Sequence, residues 1–134
     1  MLQNKVVARF ADGRTIKGTA VDFFPNKAVF HVIDALAPPG TAPLEIRVLD
    51  LKALFFVKDL AGDPQRSRRT EPGAPRLAVG RRIKVVFKDG EVLVGTTTGY
   101  HPDREGFFVE PEDADSNEER CYVLTGAAKE ITFV

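Results

Sequence analysis

Six arginines crowd the stretch between residues 61 and 82: Arg66, Arg68, Arg69, Arg76, Arg81 and Arg82. Guanidinium groups grip phosphate and carboxylate oxygens in pairs, so this set is the candidate site for an anion or a nucleic acid. Phe23, Phe24 and Tyr100, with His101 beside the last, are candidate cleft residues against which a base or a peptide side chain could stack.

Other reactive residue types are sparse. His31 and His101 stand at unrelated places, and Cys121 is the single cysteine. No His/Cys pairing has metal-ligand spacing, and no internal disulfide can form. Cys121 opens an apolar stretch and is expected in or near the core. The acidic segment from Glu110 to Glu119 lacks the Asp-x-Asp-x-Asp-Gly spacing of a calcium loop and reads as a solvated loop. Gly40-Thr41 and Gly95-Thr96 lack the lysine and the glycine spacing of a phosphate-cradling loop. Only two serines occur, and neither sits in a Gly-x-Ser-x-Gly elbow. The arginines are not followed by the Asp-x-Ser-x-x-Gly pattern of cyclic-di-GMP-binding PilZ domains. The expectation is a chain that is not an enzyme, with no catalytic residue, metal or cofactor.

The elements that carry these residues are legible from an internal repeat. Residues 5–32 laid over residues 82–109, at a constant offset of 77, share eight of 28 positions, among them Asp12/Asp89, Gly13/Gly90, Gly18/Gly95 and Phe30/Phe107. Chance would give roughly two at ordinary residue frequencies. After loops of different length Val48-Leu49 falls over Val123-Leu124, and Phe56-Val57 over Phe133-Val134. Each copy reads as five short strands. Segments 5–11 and 82–88 alternate apolar and polar residues, and Asp-Gly then predicts a hairpin with a type I′ turn. Strands near 14–23 and 91–100 contain Gly18 and Gly95, read as a bulge or bend. Third strands are expected near 28–34 and 105–110, and closing pairs near 45–50 and 53–58, then 119–124 and 130–134. Lys52-Ala53-Leu54 and the segment 126–129 are read as single 3₁₀ turns before the last strand of each copy.

The fold class is therefore all-β: two tandem SH3-like five-stranded barrels packed as a pseudo-dimer. The first covers residues 1–60 and the second 81–134. Residues 61–80, with three Pro, three Gly and no apolar period, form a linker. Ten Phe and no Trp mean that Phe, Val, Leu and Ile build the cores, and Phe10, Phe30, Phe87 and Phe107 are expected inside them.

Each copy resembles the Sm-like barrel of the Sm, Lsm and Hfq proteins. The resemblance rests on a strand, an Asp-Gly turn, a second strand with an internal Gly, a turn and a third strand, over residues 5–32 and 82–109. The segment LKALFFVKDL is similar to one in bacterial proteins of unknown function that carry this kind of barrel. In the Sm pattern an Asp and an Asn after the glycine of the second strand help to hold an RNA base. Phe24 and Ala28 stand there in one copy, His101 and Glu105 in the other, so the resemblance implies the barrel without its base pocket. Glu105 and the acidic loop after it would also repel phosphate.

Charge and hydropathy bound the partners. The net charge of zero divides into +2 for residues 1–60, +4 for 61–82 and −6 for 83–134. The basic linker or first barrel is expected to lean on the acidic second barrel, within the chain or between copies. No apolar run reaches the ~20 residues of a membrane span, and no signal-like stretch opens the chain. With one cysteine, this predicts a cytoplasmic protein without membrane association. Two functions follow from different classes. The preferred one is a binding or adaptor module for another protein, or for self-association, through barrel clefts or open edges. The alternative is an RNA- or nucleotide-binding Sm-like protein that uses the arginine-rich linker.

Overall fold

A computed structural model describes residues 4–60, 80–111 and 118–134. Its elements follow the apolar alternation: β1 Asn4–Phe10, β2 Thr15–Ala20, β3 Val29–Asp34, β4 Leu44–Arg47 and β5 Leu51–Val57, then β6 Arg81–Phe87, β7 Val92–Thr97, β8 Gly106–Pro111, β9 Glu118–Leu124 and β10 Ala128–Phe133. Single 3₁₀ turns at Val48–Asp50 and Thr125–Ala127 precede β5 and β10. The turn near residue 50 thus lies before the predicted Lys52-Ala53-Leu54, which are strand. Their alternate side chains are needed on two buried faces, and a 3₁₀ turn would break that alternation.

The ten strands of the described residues join one open antiparallel sheet in the order β10-β6-β7-β8-β9-β5-β1-β2-β3-β4. Strands β5-β1-β2-β3-β4 make up the first half and β10-β6-β7-β8-β9 the second, so the two halves share one order. The seam between them is the β5–β9 pairing.

The first hairpin of each half differs from the expected type I′ turn. No described residue other than glycine has positive φ, so Asp12 and Asp89 are not left-handed. Within these two hairpins only Gly13, at φ 98°, and Gly90, at φ 92°, are. The N–H of Gly13 donates to Phe10 O at 3.0 Å and that of Phe10 to Arg14 O at 2.9 Å, with the same pattern at Gly90 and Phe87. This is a three-residue loop closed by a left-handed glycine. The aspartates keep ordinary backbone angles because each accepts the N–H two residues on, at 3.0 Å. The ladder irregularities fall at Arg9/Phe10, Phe56/Val57 and Ala128/Glu130 rather than at Gly18 or Gly95.

Side chains alternate between two cores. From the first half, Val6, Ala8, Phe10, Phe30, Val32, Leu54 and Phe56 gather in one cluster. From the second, Ile83, Val85, Phe87, Leu93, Phe107, Val109, Cys121 and Val123 gather in another. All seven residues of β5 are buried, because its two faces serve different clusters. Leu54 and Phe56 face the first, while Ala53, Phe55 and Val57 face the second. A strand buried on both faces takes apolar side chains except where a charge is paired, as Lys52 is, which accounts for the run Ala53–Val57. Tyr122 and Leu124 return the exchange, projecting from β9 into the first cluster.

Candidate functional site

The seam shows in detail how this molecule accepts a strand at a sheet edge. Opposed pairs run Ala53↔Val123, Leu54↔Tyr122, Phe55↔Cys121 and Phe56↔Arg120. On the first-cluster face an aromatic group closes the joint. The Phe23 ring meets Phe30 at 5.1 Å, Tyr122 at 5.3 Å and Phe56 at 5.7 Å, edge to face in each case. Phe108 lies 5.0 Å from Tyr122, and the guanidinium of Arg120 covers Phe56 at 4.3 Å and Phe108 at 4.8 Å. Edge-to-face pairs add about 0.5–1.5 kcal/mol each beyond the area that they bury.

Charge fastens the same joint. Lys52, buried on β5, reaches Asp89 at 2.7 Å and also binds Glu91, while Arg9 Nη1 lies 3.6 Å from Glu91. These ion pairs join β1 and β5 of the first half to the β6–β7 hairpin of the second. The acidic segment Glu110–Glu119 lies partly, and Arg66, Arg68 and Arg69 wholly, outside the described residues. The Lys52 ammonium beside Asp89 holds that carboxylate below its ordinary range, helped by the Glu91 backbone N–H. A depressed carboxylate pKa adds stability that is present above the ordinary value of 3.8. That stability is lost as pH falls through the lowered native value. Acid titration of the denaturation midpoint should therefore show a fall below that range, and D89N should flatten it.

Among the described residues, β10 and β4 stand at the two ends of the sheet and each keeps one edge outside the ladder. Beside β10 lies a cleft of about 290 Å³ lined by Gly80, Arg81, Thr97, Thr98, Tyr100 and Phe133. Tyr100 packs edge to face on Phe107 at 4.9 Å and on Phe133 at 5.4 Å. The Arg81 guanidinium covers Phe133 at 3.7 Å. The cleft offers an aromatic wall and a cation together. A second cleft of about 380 Å³ lies across the seam, with Leu49, Leu51 and Leu124 on its apolar side and Asp103, Arg104 and Glu105 on its polar side.

The residues singled out from sequence are dispersed. Arg66, Arg68, Arg69 and Arg76 lie outside the described residues. Arg81 and Tyr100 meet in the β10 cleft, brought there by Phe133 between them. Arg82 sits next along β6, its carbonyl accepting the Val134 N–H at 3.1 Å. Phe23 stands at the centre of the aromatic joint. Phe24 is 55% exposed under the Lys27 ammonium, and His101 is exposed with Nδ1 accepting the Asp103 N–H at 3.3 Å. Phe133 and Arg120 are not among the site residues that the sequence pointed to. The repeat held a signal for Phe133, since it aligns with Phe56 just as Tyr100 aligns with Phe23. His31 Nδ1 lies 2.7 Å from Asp22 Oδ2, and its N–H donates to Asp22 Oδ1 at 2.6 Å. Burial pushes the Asp22 carboxyl up, but these His31 contacts outweigh it and leave it lowered. Among the described residues no three His, Cys, Asp or Glu side chains are grouped to hold a metal ion, and no helix is long and apolar enough to cross a membrane.

A model described as a family of unknown function (DUF6982) matches residues 2–134. No curated protein and no solved structure matches the chain.

Proposed function

The chain belongs to this family of unknown function, DUF6982, and we propose that it is a non-catalytic binding module that accepts an extended protein segment at the β10 edge. In this reading the halves are Sm-like barrels packed as a pseudo-dimer, and the partner is another protein. One observation carries the proposal. The chain already performs strand acceptance on itself, where β5 takes β9 through a backbone ladder and an aromatic clasp. The edge of β10, which holds the same place in the second half, has Tyr100 and Phe133 where β5 has Phe23 and Phe56. Main-chain pairing supplies affinity in such strand addition, and side-chain pockets supply selectivity.

Selection of random heptapeptides on the immobilised chain tests this reading, followed by amide hydrogen exchange of the bound complex. Selected peptides should slow exchange in residues 128–133. Failure to select any, together with single-stranded RNA binding that weakens steeply with salt, would replace this reading by the nucleic-acid one.

A further inference from the structure

Resting on that reading, we infer that the β10 edge takes a lone extended segment bearing an acidic residue and an aromatic residue two positions apart. The seam sets the register. Phe56 opposes Arg120 and Leu54 opposes Tyr122, so Phe133 and Ile131 define the corresponding places for an incoming strand. At the seam the incoming strand brings the cation that covers the ring, Arg120 over Phe56. At β10 the molecule supplies that cation itself, as Arg81 over Phe133. A second cation there would be repelled, whereas a carboxylate would meet a guanidinium already held in place by the ring. Opposite Ile131, next to the Tyr100–Phe133 wall, the place that Tyr122 fills at the seam calls for an aromatic ring. Exposed Lys129 adds positive charge beside it.

The opposite face of β10 excludes a folded barrel as the occupant. Ala53 and Phe55 of β5 turn into the neighbouring core, but their counterparts on β10 are Glu130 and Thr132. A second barrel placed there would bury the Glu130 carboxylate against apolar side chains, a recognised means of protecting a sheet edge. A second copy offering β4 fits poorly for another reason. Its Glu45 would suit Arg81, yet Arg47 stands in the place of Tyr122 and would lie beside Lys129. A single strand, solvated on its outer face, meets neither obstacle.

The test uses the full isotope-labelled chain and blocked peptides of residues 118–124, all with C121S and with either Arg120 or R120E. The R120E peptide should shift the amide resonances of residues 128–133, Arg81 and Tyr100. It should bind roughly fivefold more tightly than the Arg120 peptide, the upper range for one exposed charge pair. R81E in the chain should reverse that preference. Equal affinity of both peptides at β10 would overturn the charge assignment while leaving strand acceptance intact. Binding of neither peptide at β10, or shifts confined to β5, would overturn strand acceptance itself. Concentration-dependent shifts of β10 and β4 without peptide would make a second copy the occupant and overturn the lone segment.

Discussion

Phe55→Ala should destabilise the whole molecule by about 3–5 kcal/mol, the cost of emptying a buried phenylalanine site. Phe55 is 2% exposed and belongs by sequence to the first half, yet its ring sits in the second cluster with Val85, Phe87 and Val123. The cavity would therefore open in one half through a change made in the other. Because each cluster borrows side chains across the seam, the two halves should unfold together in one cooperative transition. Chemical denaturation followed by both far-UV circular dichroism and tyrosine fluorescence checks this, since Tyr100 and Tyr122 report on opposite clusters. Phe24→Ala provides the contrast, because that ring is 55% exposed and its loss should stay within about 0.5 kcal/mol. Two separated transitions in the unmodified chain would show that the seam does not couple the halves.

Gly18→Ala and Gly95→Ala should each destabilise by about 1–3 kcal/mol or more, the range for overfilling a packed site. A Cβ on Gly18 would come within 2.1 Å of the Ile33 carbonyl oxygen, and one on Gly95 within 2.0 Å of the Glu110 carbonyl oxygen. Both obstacles are backbone, so β2 would have to part from β3, or β7 from β8. The absence of a side chain lets these strand pairs approach more closely than a Cβ allows. Gly99→Ala is the matched control, since nothing lies within 4 Å of its added carbon. Thermal melts of the three variants should separate the first two from the third. Equal midpoints would mean that the strands can separate at no cost.

The sequence by itself determined the all-β class, the strand positions and the membership of most core sites. Period-two alternation assigns each residue to a face, and the match of Val6, Ala8 and Phe10 to Ile83, Val85 and Phe87 marked the inner faces of both halves. Asp-Gly marked the hairpins, although it did not distinguish a two-residue turn from the three-residue loop observed. Only the tertiary structure decided that β5 pairs with β9. Periodicity says which way a side chain points and not which strand lies beside it, and pairing across some 70 residues depends on complementary edges formed after folding. The apolar run at Ala53–Val57 carried a hint, since a strand apolar on both faces needs two cores. The candidate site was legible in pieces. Arg81 and Tyr100 could be named separately, but their meeting depends on Phe133, which arrives on β10 after the chain has turned around the second core. Phe23, a candidate for the same role, is taken by Tyr122 and Phe108 at the seam. Two aligned aromatics thus have different uses, because one edge is filled from within the molecule and the other lies at the end of the sheet.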